Sequence, residues 1–525
     1  MTSIRRLDGI LAAATAVSAI LFFTAAFATF NQNDFMYATA PIFWGRLTLY
    51  RDLMFVQAPG SVAIYGLIYQ AVGPADFYLA LRFFCLAVLL LACLLTFQLS
   101  RRMAGGRPAI MALAFLLISP FVASIAVDSG STSLALLGLI CAVYVYIARP
   151  CGVRTAAATG LAIGLAATMK LNFALYAIPF GLFIARRAGL RSREAAAYGA
   201  GGVIGASMIW YYLLTDFSHF WFFNIRFHAL MNIWREAHGE TVAPVLVIAT
   251  ILFALYAGPV LYLGYKAIRT TDSPDERRRL GELGGLLATS LAAAFSPIYY
   301  APQYLAAPVF LLTIGFAFAL NILDRGDETT QRTAWRLAWA AVAALGALFW
   351  VQTLPPLARS VMSNTASIPR IRAVRHRIQA LASSHLAGTP CNMAAISFSP
   401  LPLLGTAFDI APLSASGPFL PMLTAQIQQN APAFAQYAFT ADALDQAKAT
   451  AFLVGYFPTI VAEQMLVAYA RAKDFVAFDV GRLPERSWRD APPKMRLLIR
   501  RSCMTRPPSP SPARQRGAAP GFTTR

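Results

Sequence analysis

Charge is what this chain has least of. Only 13% of its 525 residues are Asp, Glu, Lys or Arg, while 58% are hydrophobic, and its mean hydropathy is +0.56. Ordinary soluble domains carry about 25% charged residues, so that class is excluded. Histidine is scarce too. There are five, and His228 and His238, ten positions apart, lack the tight spacing of a zinc site. Of six cysteines, Cys85, Cys93 and Cys141 fall in apolar segments and Cys151 sits beside one. Only Cys391 and Cys503 fall in the polar C-terminal part, where they form a disulfide or remain two unrelated thiols. There is no internal repeat and no inverted pair of broken hydrophobic segments, the usual layout of a transporter. The first apolar segment is too long for a typical removed signal peptide and lacks its small-residue cleavage site.

What the chain has in quantity is long apolar runs. A helix needs roughly 20 apolar residues to cross a bilayer. Eleven spans are expected, at 9–30, 77–99, 108–126, 131–148, 155–169, 171–185, 195–214, 243–265, 280–297, 303–322 and 335–354. With Arg5 and Arg6 in the cytoplasm, the loops then placed inside carry 19 basic residues and those outside carry 5. That bias sets the orientation. It also accounts for most of the +20 net charge up to residue 354 without nucleic acid. The expected layout is a transmembrane domain over 1–354 with an external loop at 31–76, then an exported α/β domain over 355–505. Its strands fall near 393–398, 450–456, 475–480 and 495–500, and its helices near 370–386, 420–430 and 458–473. A disordered tail over 506–525 follows.

Between Arg154 and Arg186 lie 31 largely apolar residues interrupted by Lys170. One helix of that length runs roughly 46 Å, too long for a single crossing. Arginine flanks both ends, so a hairpin turning near Lys170 satisfies both facts. Its short arms leave Lys170 and Asn172 a little below the outer surface. A lysine there either snorkels to water or meets an anion.

Alternation gathers polar residues at that outer level: Asp34, Asp52, Arg82, Asp128, Lys170, Arg226, His228, Arg235, His238, Tyr299, Tyr300, Gln303 and Tyr304. Acids beside cations suit a reaction in which a base takes a proton and a phosphate departs. A plainer role for Asp128 is a helix cap within Asp-Ser-Gly-Ser-Thr-Ser, and for Asp34 a solvated loop carboxylate. Asp52, in Tyr-Arg-Asp, fits a partner of Arg51 or Arg46 better than a reacting group. The stretch 215–241 reads either as an amphipathic lid or, better, as an interfacial aromatic belt.

Several segments in order resemble a known family. Asn31 to Gly60 contains Asn-Asp-Phe-Met-Tyr, Leu-Tyr-Arg-Asp and Gln-Ala-Pro-Gly. Ala-Leu-Arg at 80–82, Asp128, Gly160…Gly164-Leu-Ala…Thr168-Met-Lys170 and Gln303-Tyr-Leu-Ala-Ala-Pro308 follow. Together they resemble the GT-C glycosyltransferases, membrane enzymes that use polyprenyl-phosphate sugars. These include protein O-mannosyltransferases and the aminoarabinose transferase of lipid A. The resemblance implies Asp34 as general base, and Asp128 as a second carboxylate that orients the acceptor. It implies Lys170, with Arg82, Arg226, Gln303 and Tyr304 around it, at the lipid-linked phosphate. It allows a divalent cation, Mg or Mn, on Asp34 and Asp128. The acceptor would be a hydroxyl of an envelope glycolipid, glycan or protein, outside a bacterial inner membrane. Two positions depart from the family pattern. Phe35 stands where Glu is frequent, leaving metal dependence open, and Gln303 stands where many members carry a basic residue. The rival readings are a flippase for a lipid-linked sugar and a non-catalytic relative. Mid-span segments poor in polar residues disfavour the first.

Overall fold

The computed structural model describes residues 40–45, 48–50, 57–126, 130–190, 192–226, 243–296, 302–362 and five C-terminal strands, with single positions such as Tyr37, Phe55 and His228. The expected span at 9–30, the helices expected at 370–386, 420–430 and 458–473, Cys391 and the tail over 506–525 lie essentially outside them.

The described part is helical. Helix α1 is Gly60–Ala104, α2 Gly106–Leu117, α3 Pro120–Ala126, α4 Thr132–Ala148 and α5 Val153–Met169. Then come α6 Ala177–Ala188, α7 Arg193–Gly205, α8 Ser207–Thr215 and α9 Phe217–Trp221. The series closes with α10 Ala243–Thr270, α11 Pro274–Phe295, α12 Ala306–Asp324 and α13 Glu328–Met362.

Among the described residues, three stretches are long and apolar enough to cross a membrane: Ala80–Ala104, Leu246–Thr270 and Gln303–Asp324. The pair α2 and α3 makes a fourth, bent by 67°. That bend falls just before Pro120, which cannot continue the hydrogen-bond ladder. The Tyr256 hydroxyl satisfies the carbonyl of Phe115 nearby. Large apolar side chains face outward along α10, with Ile248, Ile251 and Leu255 all more than half exposed. On the second half of α1, Phe83, Leu90 and Leu94 do the same. Water would penalise such a surface and lipid does not, so the chain is a membrane protein.

The expected loop over 31–76 is partly helical. Helix α1 starts at Gly60 and reverses at Gly73, whose φ of 72° only glycine adopts freely. Its two arms lie side by side: the Tyr65 hydroxyl is 3.3 Å from Cys85 Sγ, and the rings of Tyr69 and Phe77 stand 5.2 Å apart. The expected span at 195–214 is likewise two helices, α7 and α8, joined at Ala206.

Helix α12 is the hub. It packs against α1, α2, α10, α11 and α13, and 89% of its apolar window is buried. The closest pair is α5 with α7. A Cβ on Gly160 would strike the Tyr198 carbonyl, and one on Gly164 the Gly202 carbonyl. From the other side, Gly201 faces Ala157 and Gly205 faces Leu161 in the same way. Two Gly-x-x-x-Gly stripes therefore let the backbones touch. The glycines of the family-like segment at 160–164 act here as a packing seam. Thr168 spans it with a 3.0 Å bond to the Gly205 carbonyl.

The described C-terminal strands are β1 Met393–Ala395, β2 Ile410–Pro412, β3 Ala451–Val454, β4 Phe475–Arg482 and β5 Lys494–Arg500. They form one mixed sheet in the order β2-β1-β3-β5-β4. β1 runs parallel to β2 and β3, and β5 runs antiparallel to β3 and β4.

Candidate functional site

Helix α5 ends at Met169, and Lys170 takes an extended conformation before the 3-10 turn Leu171–Tyr176. The chain turns at Lys170, as the charge pattern requires. Asn172 fastens the turn by a 2.8 Å bond to the Ala293 carbonyl of α11. The side chain of Lys170 turns inward and is only 6% exposed, so it does not snorkel. Its Nζ donates to Thr132 Oγ1 at 2.7 Å and lies 4.1 Å above the ring of Tyr304. Thr132 opens α4, and Tyr304 sits in the 3-10 turn Pro302–Leu305 before α12. Three distant segments thus meet around one buried ammonium. A hydroxyl and a ring face are both suited to a cation.

The first loop closes over the same place. A Cβ on Gly60 would lie 2.8 Å from the Met169 methyl and from the Thr168 carbonyl. The start of α1 therefore rests on the end of α5, beside Lys170. Tyr65 reaches the segment before α4 with a 3.2 Å bond to the Gly130 carbonyl. Ser131 Oγ is 3.4 Å from the Tyr37 hydroxyl. Tyr37 follows Asp34 by three positions, and Ser131 follows Asp128 by three. Their contact joins the two segments from which the proposed carboxylates come.

A second aromatic knot holds the loop. Tyr50 is fully buried and has a positive φ of 72°. Its ring meets Tyr212 at 5.0 Å, Phe220 at 5.4 Å and Phe223 at 6.5 Å. Its hydroxyl donates to the Gln57 carbonyl at 2.7 Å. Burial lifts this phenol well above the ordinary tyrosine range, against a smaller opposing pull from Asn224. It is a neutral strut, and these contacts offset a left-handed backbone that costs a bulky residue about 1–3 kcal/mol. The expected aromatic belt over 215–241 is thus divided. Phe217 and Trp221 are exposed, while Phe220, Phe222 and Phe223 are buried. The π-helical turn Phe222–Arg226 ends the described stretch.

Among the expected site residues, the structure brings Lys170 and Tyr304 together. Gln303 is half-buried beside Tyr304. Arg82 is buried on α1, three positions before Cys85, the sulfur next to Tyr65. Arg226 is exposed at the end of the π-turn. Asp34, Asp52 and Asp128 lie outside the described residues, as do Arg235, His238, Tyr299 and Tyr300. The cap of α4 falls on Ser131, without a side-chain cap bond of its own, and the capping alternative for Asp128 falls outside the described residues. Sequence reasoning passed over Thr132, Tyr37 and Ser131. A threonine opening a helix and a serine at its cap are ordinary, so only Tyr37, next to the Asn-Asp-Phe motif, offered a signal. Among the described residues no three His, Cys, Asp or Glu side chains gather to hold a metal ion. The acids expected to do so are not among those residues. Cys85, Cys93, Cys141 and Cys151 are free thiols, and the alternative pairing of Cys391 with Cys503 falls outside the described residues.

No protein-family model and no curated protein matches the sequence. Solved structures do. ArnT from Cupriavidus metallidurans bound to undecaprenyl phosphate superposes with a TM-score of 0.57 at 14% identity, covering 93% of this chain and 98% of that one. Its apo state gives 0.55 at 14% identity, covering 94% and 98%. An oligosaccharyltransferase from Archaeoglobus fulgidus overlaps more loosely, with a TM-score of 0.45 at 13% identity, covering 84% and 67%.

Proposed function

We propose that this chain, which has the fold of the GT-C superfamily, is an integral membrane glycosyltransferase. It moves a sugar from a polyprenyl-phosphate donor to a hydroxyl of an envelope glycolipid, glycan or protein. The observation that carries this reading is the buried Lys170 ammonium, held by Thr132 and the Tyr304 ring where the first loop meets α4, α5 and α12. A buried ammonium at that junction suits a phosphate that arrives and leaves. The likeness to ArnT supports a phosphate on a polyprenyl chain.

In this mechanism Asp34 takes the proton of the acceptor hydroxyl. The acceptor oxygen forms a bond to the anomeric carbon on the face opposite the phosphate. The bond from that carbon to the phosphate oxygen breaks, and its electron pair leaves with the polyprenyl phosphate. Lys170, with Arg82 and Arg226 at longer reach, stabilises that charge. Inversion at the anomeric carbon follows. Asp128 orients the acceptor, and Gln303 hydrogen-bonds the donor. A divalent cation, if the enzyme uses one, would be held by Asp34 and Asp128 and would neutralise phosphate charge. The reaction belongs to the outer face of a bacterial inner membrane, with the N-terminus cytoplasmic, eleven spans, and the 355–505 region exported as a small α/β domain.

The test is mass spectrometry of envelope glycolipids and glycoproteins from a deletion strain, complemented with wild type or Asp34→Asn. A sugar that is missing and returns only with wild type identifies transfer and its product together. An unchanged envelope, or full rescue by Asp34→Asn, overturns the assignment.

A further inference from the structure

At the opposite end of the helices from Lys170 lies a second concentration of positive charge. A cavity of about 270 Å³ opens between the end of α4, the loop that leads into α5, the last turn of α6 and the first turns of α11. Arg149, Arg187, Arg278 and Arg279 line it, with Ile147 and Pro150 as apolar wall. Helix α5 separates the two sites: its N-terminus is near the cavity and its C-terminus precedes Lys170. Seventeen residues of helix put them roughly 25 Å apart.

Arginines at the cytoplasmic side of a membrane protein ordinarily spread into water. These converge. Arg187 is fixed from two sides, with a 2.6 Å bond to Glu282 and its guanidinium 4.2 Å over the Tyr146 ring. Tyr146 donates to the other Glu282 oxygen at 2.9 Å, so that carboxylate is fully engaged. Arg187 Nε is buried and has no hydrogen-bond partner among the described residues. Asp275 is a second acid facing the cluster. It pairs with Arg278 at 3.0 Å, but both side chains are more than half exposed, so the pair holds weakly. No ion pair engages Arg149 or Arg279 among the described residues. Glu276 also acts on Arg279 electrostatically, but it is paired with Arg325 at 2.6 Å. Four cations against three acids, one of them paired elsewhere, leave the cavity short of negative charge, and one buried donor in its wall is unsatisfied.

We propose that this cavity binds a phosphate mono- or diester. The group would be the headgroup of an anionic phospholipid in the adjacent leaflet, or a phosphate free in solution. Guanidinium forks match phosphate oxygens in pairs, and basic pockets between the cytoplasmic ends of membrane helices suit anionic headgroups. The helix-end position and the wall of Ile147 and Pro150 fit a headgroup whose acyl chains lie along α4 and α6.

The experiment uses the full chain in neutral phosphatidylcholine nanodiscs, with phosphatidylglycerol added to the bilayer in one arm and inorganic phosphate to the buffer in the other. Retained lipid is counted by native mass spectrometry, and phosphate protection is read as a thermal shift. Arg278→Gln/Arg279→Gln is compared with Arg101→Gln/Arg332→Gln, which removes the same charge elsewhere on that side. Loss of two arginines should weaken binding roughly 20-fold or more. If only the pocket variant loses phosphatidylglycerol, the ligand is a lipid headgroup. If only the pocket variant loses protection by inorganic phosphate, the ligand is soluble. If both variants behave alike in both arms, the charge is merely topological and the proposal fails. Arg149→Gln, at an exposed position, repeats the test should the double variant not fold.

Discussion

Replacing Lys170 with methionine separates a phosphate grip from a packing role. The two side chains have similar length and volume, so the change removes the charge and little else. In the resting protein the contacts of Lys170 include a 2.7 Å bond to Thr132 and a ring contact at 4.1 Å. A buried ammonium also carries a desolvation penalty of several kcal/mol, which offsets much of what is lost with such contacts. The variant should therefore still fold. Its binding should fall much further than its stability. A charge-assisted hydrogen bond to a phosphate contributes about 1.5–3 kcal/mol, which is a loss of roughly 10- to 150-fold in affinity. Titration of the purified chain with undecaprenyl phosphate in neutral nanodiscs measures that loss without knowledge of the sugar. Thr132→Val removes only the neutral partner and should weaken binding roughly 2- to 10-fold through misplacement of the ammonium. A dissociation constant for Lys170→Met within twofold of wild type would refute the phosphate role and leave Lys170 as a structural turn residue.

Three other perturbations have definite expected outcomes. Gly164→Leu should collapse the α5 and α7 seam by more than about 3 kcal/mol, because its side chain meets backbone rather than a movable group; thermal unfolding and expression level report it. Gly60→Ala drives a methyl into Thr168 and Met169 at 2.8 Å, and should lower transfer activity more than melting temperature, since it displaces the loop from Lys170. Glu276 gives a pH signature. Burial works against its charge, but the Thr271 hydroxyl and the Arg325 guanidinium at 2.6 Å outweigh that and hold the carboxyl below its ordinary value of 4.5. A depressed pKa stabilises the fold above the unfolded value and ceases to do so as pH falls through the folded one. Glu276→Gln should thus melt below wild type at pH 7 and converge with it below about pH 4.

Local physics made some elements legible in the sequence. The expected spans 131–148 and 155–169 match α4 and α5 within two residues. Apolar length and flanking arginine fix the bounds of a helix without reference to the rest of the fold. The hairpin at Lys170 came from the same two quantities. Strands expected near 450–456, 475–480 and 495–500 overlap β3, β4 and β5. Reversal at Gly73 was missed, although Gly-Pro at 73–74 is a turn signal. The bend before Pro120 was missed, although Ser-Pro at 119–120 is a turn signal, because the run on either side is largely apolar. Hydropathy counts residues and is blind to direction. Nothing in the sequence pairs Lys170 with Thr132, 38 positions earlier. That contact depends on α4 lying beside α5, a tertiary fact that periodicity does not encode.

Helix α12 touches almost no lipid in the finished protein, yet it is among the most apolar segments of the chain. Its final surroundings are other helices, which would tolerate a satisfied polar group. Its oiliness therefore reflects biosynthesis. A span enters the bilayer before its neighbours have packed around it, and at that moment every side faces hydrocarbon or the translocon. A polar substitution on α12 meets two successive selections, one for insertion and one for packing, whereas the lipid-facing surface of α10 meets hydrocarbon at both stages. The centre of the bundle is then the part of this chain with the least freedom to drift, for reasons that its final contacts alone would not disclose.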